Sequence, residues 1–332
     1  MKNFEWTQPT SVEEAISLTV NGAAIKAGGV DVLDLMKEHL FEPSRLVDIR
    51  EIKHLDYIKD DPKSGAKIGP LVTIARLAED PVINQRYPLL AHASLRIATP
   101  QIRNMATLGG NLLQRPRCWY FRNELTFCRK KGGETCYAQE GENQYHAIFN
   151  NGLCAIVHPS GAATALVAYG ATIEITSKDG KRDVSVEKFF QPPMVDLHRE
   201  NTLNPGEIIT EIRIPAPAEN AKQHYLKQGE KESFDWPVAE CAVVMEMDGG
   251  NCKRASVVLG AAAPTPYRAK YAQDALAGKP VNADTARAAA NGSMTGATPL
   301  HSNGYKVPLF KAIVARTILA CAGGNGANGA AQ

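Results

Sequence analysis

Cys118, Cys128, Cys136 and Cys154 are four of the chain's seven cysteines, yet they fall within about one ninth of its 332 residues. Clustered thiols suggest ligands, and four thiolates suit a 4Fe-4S cluster or a tetrahedral zinc. The gaps of nine, seven and seventeen residues contain no CxxC pair, so the common zinc-ribbon and ferredoxin spacings are absent. Arg115, Arg117, Arg122, Arg129, Lys130 and Lys131 surround the first two cysteines, where positive charge would depress thiol pKa values and offset the charge of a tetrathiolate centre. The competing reading is a loop with incidental cysteines, or two disulfides. Cys241, Cys252 and Cys321 stand in apolar stretches and read as buried small hydrophobes.

Two glycine pairs offer a different chemistry. Gly28-Gly29 follows the strand-like Ala23 to Ala27 and precedes a helical pattern of Val32, Leu33, Leu35, Met36 and Leu40. Backbone N–H groups at such a helix start can face a pyrophosphate, whose charge the helix dipole favours. The segment Thr107-Leu108-Gly109-Gly110-Asn111 adds a hydroxyl, a permissive backbone and an amide, read here as a second glycine turn able to approach a phosphate or flavin edge. A branched side chain at Gly110 is therefore expected to abolish cofactor binding. Neither segment matches GxGxxG or GxxxxGK[ST], which argues against the usual dinucleotide fold and the P-loop. Taken singly, each pair could be a plain tight turn.

The elements that must position these residues read as α+β. Thr10 and Ser11 with Glu13 and Glu14 predict a capped helix over Val12 to Val20. Short apolar runs between Arg45 and Ala78 predict small strands and a hairpin, and Pro88 to Ile97 a helix. The stretch 115 to 157 has no clear period and is too long for a plain connection. After it, Ala162 to Tyr169 reads as helix, a hairpin turns around Lys178 to Lys181, and Ile208 to Ile214 is a strand. Beyond Pro215-Ala216-Pro217 come three strand-like runs with a hairpin turn at Asp248 to Asn251, then helices near Tyr267 to Leu276, Ala283 to Asn291 and Tyr305 to Ala322. A domain boundary is placed near 216 to 222, and a disordered tail is expected over 323 to 332.

Composition narrows the function classes. The 37 lysines and arginines nearly balance 35 acids, so no overall field would hold a nucleic acid or an anionic membrane. The N-terminal residues lack the run of about seven to fifteen apolar residues that an export signal needs, and no membrane span is expected. Without such a signal, disulfides are a poor explanation for seven cysteines.

The segments AGGVDVLDLMK (27 to 37), IRNMATLGGNL (102 to 112), HPSG (158 to 161) and GAAAPTPYRA (260 to 269) occur together and in order. With them, the chain from about Phe4 to Leu319 resembles the FAD-binding medium subunits of the xanthine dehydrogenase and carbon monoxide dehydrogenase family of molybdenum hydroxylases. YLKQG and Asn303-Gly304-Tyr305-Lys306 extend the match. The resemblance implies a two-part FAD-binding domain of the vanillyl-alcohol-oxidase/PCMH type over 1 to 217, interrupted by an insert, and a C-terminal domain over 222 to 322 with a three-stranded antiparallel sheet and helices. By position, Lys26, Ala27, Gly28, Gly29, Val30, Asp31, Val32 and Leu33 would line the FAD pyrophosphate. Thr107, Gly110 and Asn111 would continue that site, together with Ile97 and Gly161, and Lys227 would reach the flavin. RPRCWYF, GGETCYA and YHAIF look like the insert of aldehyde oxidoreductases, which implies a 4Fe-4S cluster on Cys118, Cys128, Cys136 and Cys154.

As the resemblance has it, the chain passes electrons through FAD to an external acceptor. A 2Fe-2S small subunit and a molybdopterin large subunit complete a heterotrimer, and no catalytic residue is required of this chain itself. Location would be cytoplasmic, or periplasmic through a signal-bearing partner. Two departures stand out: Val30 where the family usually has threonine or serine, and Gly161 where it usually has aspartate. Each lost hydrogen bond is worth about 0.5–3 kcal/mol, so restoring a carboxylate at 161 is expected to tighten FAD binding unless the new charge or backbone strain opposes it. The alternatives are a free-standing flavin oxidase or dehydrogenase and a zinc-binding interaction module. The histidines His39, His54, His92, His146 and His301 have no metal spacing, while His158, the first residue of HPSG, lies beside the segment expected to hold the adenosine moiety and could touch FAD.

Overall fold

The computed structural model describes residues 1–20, 22–231 and 233–323; the expected tail over 324–332 lies outside them. The described residues pack as two compact units, one from within 1–77, 98–135 and 170–216, the other from within 78–97, 136–169 and 217–323. One junction between the units falls at Ala216 and Pro217, and two internal stretches, 78–97 and 136–169, belong with the C-terminal part.

In the first unit, β1 (Glu5–Thr7), β2 (Ala23–Lys26) and β3 (Arg45–Asp48) form a parallel sheet in the order β1-β3-β2. Half of the expected capping box forms: the Ser11 hydroxyl accepts from Glu14 N–H at 3.1 Å and starts the helix Val12–Leu18, while the Glu14 carboxylate reaches one residue further back and accepts from Thr10 N–H at 2.8 Å. A second, antiparallel sheet has the order β4-β5-β8-β6-β7, from β4 (Ile58–Asp61), β5 (Gly65–Ile68), β6 (Thr172–Ser177), β7 (Gly180–Ser185) and β8 (Ile208–Ile214). Val12, Ile16, Val47, Ile52, Leu71 and Ile208 form a shared core.

The second unit is organised by β9 (Ala221–Gln228), β10 (Ala239–Asp248) and β11 (Asn251–Gly260), all antiparallel, with the two-residue edges β12 (Tyr267–Arg268) and β13 (Lys279–Pro280). Cys241, Val243 and Met245 share a core with Phe310, Val314 and Ile318 of the helix Lys306–Cys321. The helices Pro88–Leu95 and Gly161–Tyr169 pack on each other and on this sheet. That second layer explains why Ala239–Val243 is buried at every position, where a half-exposed strand would alternate.

The cysteine-rich insert is divided between the units, with 115–135 in the first and 136–157 in the second. Buried polar bonds explain the second attachment. Lys306 Nζ donates to the carbonyls of His146 (3.1 Å) and Ala261 (2.6 Å), and Asn303 Nδ2 donates to those of His146 (3.1 Å) and Ala147 (3.2 Å). Among the described residues no helix is long and apolar enough to cross a membrane.

Candidate flavin site

In the first unit the two glycine segments meet. Gly29 has φ +81°, a left-handed conformation that favours glycine, and starts the helix Val30–Lys37. A Cβ at Gly28 would lie 1.9 Å from the Met105 carbonyl oxygen, so the first turn rests directly on the backbone leading into Thr107. The second segment differs from the expected turn: Gly109 and Gly110 lie inside a one-turn helix, Leu108–Leu112, because the Thr107 hydroxyl caps it by accepting from Gly110 N–H at 3.2 Å. Gly109 is itself pressed against Pro70. At Gly110 an added Cβ would meet only the Thr107 hydroxyl, at 3.1 Å, and its φ is not positive. The conformational half of the case against a side chain there falls away.

The N-cap Gly29 gives the helix Val30–Lys37 no side-chain cap, and N–H groups at such a helix start suit an anion. Asp31 would repel a pyrophosphate, but its carboxylate accepts from Arg115 N–H (2.8 Å) and pairs with Arg117 (2.7 Å) and Arg122 (2.8 Å). The Asp31 carboxylate is thus engaged by the insert, which leaves its backbone N–H for a cofactor, and Arg115, Arg117, Arg122 and Lys130 pair with Asp31, Asp34 and Glu200. Lys26 is likewise committed. It is 4% exposed, with Nζ 3.1 Å from Asp48, which leaves its backbone for a cofactor. Asp48 is opposed by its own burial, but bonds from Arg50 and Lys26 hold its carboxyl below the usual range.

Ile97, Gly161 and Lys227 fall in the second unit and lie near one another. Lys227 Nζ donates to the Arg96 carbonyl at 2.8 Å, and burial lowers its pKa from the ordinary lysine value. The Ser160 hydroxyl accepts from Ala163 N–H at 3.0 Å at the start of the helix Gly161–Tyr169. A Cβ at Gly161 would meet Glu240 Oε1 at 3.1 Å, the Tyr225 hydroxyl at 3.3 Å and Ile97 Cγ1 at 3.6 Å. Glu240 escaped the sequence reading. Its signal was an acid within the apolar run Ala239 to Val244, a costly placement unless it has partners.

Cys118 and Cys128 pack with Leu35, Leu40 and Phe121 in the first unit. In the second, Cys136 bonds to Cys154 and to the N–H groups of Ala155, Ala138 and Gln139, which hold its thiol down at about 6 against its burial. Among the described residues no group of three or more His, Cys, Asp or Glu is gathered closely enough to hold a metal ion. Burial pushes the thiols of Cys241 and Cys321 up to about 12, as inert core residues require.

The description "FAD binding domain in molybdopterin dehydrogenase" matches residues 2–217, and "CO dehydrogenase flavoprotein C-terminal domain" matches 224–321. The chain is 33% identical over 323 residues to the aldehyde oxidoreductase FAD-binding subunit PaoB of Escherichia coli K12, covering 96% of this chain and 98% of that one. It is 29% identical over 295 residues to the carbon monoxide dehydrogenase medium chain of Hydrogenophaga pseudoflava, covering 88% and 86%. Among solved structures, a chain of that carbon monoxide dehydrogenase, in a form lacking the Mo-pyranopterin moiety, superposes with a TM-score of 0.77 at 28% identity, covering 96% and 97%. A chain of quinoline 2-oxidoreductase from Pseudomonas putida 86 gives 0.76 at 27% identity, covering 97% and 99%. The chain belongs to the family of FAD-binding subunits of molybdopterin dehydrogenases, with their carbon monoxide dehydrogenase-type C-terminal domain.

Proposed function

We propose that this chain is the electron-transfer flavoprotein subunit of a molybdenum-containing aldehyde oxidoreductase. Electrons come from the clusters of a 2Fe-2S partner and leave through FAD to an external acceptor, while a molybdopterin-carrying partner oxidises the substrate. What carries the reading is the meeting of Gly28 with the backbone before Thr107, at the start of an uncapped helix. Near full-length similarity to an aldehyde oxidoreductase FAD-binding subunit supports the choice of reaction.

FAD, when bound, supplies the redox chemistry. Gly28 lets the turn rest on the Met105 carbonyl and Gly29 supplies its left-handed conformation, and the first-turn N–H groups of Val30, Asp31 and Val32 would donate to a pyrophosphate. Arg117 and Arg122 hold the Asp31 carboxylate away from that position and neutralise it. Thr107 and Asn111 would supply a hydroxyl and an amide to the same group. Ile97 and Gly161 would flank the cofactor, and the Lys227 ammonium would place a positive charge beside it.

The finer assignment is a 4Fe-4S cluster on Cys118, Cys128, Cys136 and Cys154. Its support is the donor chemistry of Cys136, whose thiol is held down by its bond with Cys154 and by three backbone N–H groups. The purified complex is expected to show flavin absorbance, and to contain iron and acid-labile sulfide beyond the 2Fe-2S subunit's share. Cys128→Ser should remove that excess and leave FAD in place. Flavin without excess iron would remove the cluster assignment alone, and a complex with no flavin would remove the functional reading.

A further inference from the structure

Glu240 is 3% exposed, in the middle of β10. Its partner across the antiparallel pair is Lys227 on β9, so the two project from the same face of the sheet. Tyr225, two residues before Lys227, shares that face and donates its hydroxyl to Glu240 Oε1 at 2.7 Å. Thr164, one turn into the helix Gly161–Tyr169, donates to Oε2 at 3.4 Å. Two glycines make room for the carboxyl group: a Cβ at Gly260 would lie 2.0 Å from Oε2, and one at Gly161 would lie 3.1 Å from Oε1. The acid thus fills the volume into which a side chain at position 161 would grow. Burial raises its pKa, so a proton is easier to keep there than on an ordinary glutamate. An isolated acid would be expensive in this apolar strand, and an apolar replacement of like volume would often be the more stable choice.

We propose that Glu240 is a cofactor-site residue, whose carboxyl group takes the place of a side chain at position 161 and presents an acidic hydrogen-bonding group, beside Lys227, to a hydroxyl of bound FAD. The proposal rests on the flavin reading above, which sets Gly161 and Lys227 against the cofactor. It reverses one expectation from the sequence. Gly161→Asp does not restore a missing carboxylate; it forces a second one against Glu240 Oε1, in a space where two like charges cannot both be carried. Removing Glu240 frees that space, so the two changes should compensate each other instead of adding.

The test is FAD dissociation from the purified complex, followed by recovery of flavin fluorescence on dilution, in wild type, Glu240→Gln, Glu240→Ala, Gly161→Asp and the double variant Glu240→Ala/Gly161→Asp. Glu240→Ala and Gly161→Asp should each weaken binding by about tenfold or more, and Glu240→Gln by less. The double variant should return to within about threefold of wild type. If Glu240→Ala leaves a cavity too large to fold around, Glu240→Gln and the double variant still decide. Folded single variants that hold FAD as wild type does, or a double variant whose losses add, overturn the assignment. A wild-type complex without FAD overturns the flavin reading itself and is recognised as such before any variant is made.

Discussion

Gly28 and Gly161, one in each unit, are both proposed flavin contacts, and they exclude a side chain in opposite ways. At Gly28 the obstacle is backbone, the Met105 carbonyl oxygen 1.9 Å from where a Cβ would stand. At Gly161 it is the end of a side chain, Glu240 Oε1 at 3.1 Å, supported by the Tyr225 hydroxyl. A backbone obstacle cannot turn aside, because the Ala106 carbonyl beyond it is already tied to Ile74 N–H at 2.8 Å. A side-chain obstacle can be traded for another group. The first unit therefore holds its glycine by geometry that no second substitution relieves, and the second holds its glycine by a partnership that one substitution can dissolve.

The largest expected effect follows from the first half of that contrast. Gly28→Ala, which adds a single methyl group, should strip the complex of flavin and destabilise the first unit, since the two glycine segments must separate to admit it. Flavin-to-protein ratio after gel filtration measures it, with Gly304→Ala as control, because nothing lies within 4 Å of a Cβ there. Normal flavin content in the Gly28 variant would mean that the Met105 contact is dispensable, and the contrast would fail.

An intermediate effect separates the units by pH. His146 and His158, both in the second unit, are buried; burial, with Lys306 nearby in the first case, pushes their pKa values down to about 4 and about 3. The histidines of the first unit, His39, His54 and His198, are exposed. The sign is fixed by linkage. Below the ordinary value near 6.5 the unfolded chain takes up protons that the folded one refuses, so the stability is complete above pH 6.5 and is lost as pH falls toward the two depressed values. At pH 5 the loss should be ~2 kcal/mol per histidine. Thermal unfolding at pH 7.5 and 5 should show the second unit weakening first, and His158→Gln should flatten that dependence. Equal acid sensitivity in both units would refute it.

The sequence was informative where local rules decide. The serine cap at Ser11, the helix after Gly29 and the hairpin turn at Asp248 to Asn251 all stand where period and turn chemistry put them. The glycine turn at Gly28-Gly29 was legible for the same reason, since a glycine pair between a strand and a helix carries its own signature. What sequence did not disclose is non-local. That Asp31 is held by arginines more than eighty positions away, that Lys306 bolts the end of the insert, and that Gly161 answers to Glu240 are facts of packing between distant segments. Such pairings leave one odd residue at each end and nothing to join them, as the buried acid in Ala239 to Val244 illustrates.

The smallest expected effect is the most discriminating for the cofactor. Gly110 lies within the helix Leu108–Leu112 at a negative φ, and a Cβ there would meet only the Thr107 hydroxyl at 3.1 Å. Replacing a helical glycine by alanine is worth up to about 1 kcal/mol in favour of the helix. Crowding the Thr107 cap opposes this, and a lost cap costs ~1 kcal/mol. The two nearly cancel, so Gly110→Ala should leave the thermal transition within about 0.5 kcal/mol of wild type. On the proposed site a methyl group at this point would stand where a phosphate or flavin edge needs the bare backbone, so FAD should dissociate several-fold faster. A change in flavin release at constant stability can come only from the ligand side, which Gly28→Ala cannot show because it disturbs fold and ligand together. If Gly110→Ala releases flavin at the wild-type rate, the one-turn helix supports the site from behind through Thr107 and Asn111, and the glycine serves the contact with Pro70 through its neighbour Gly109 rather than the cofactor.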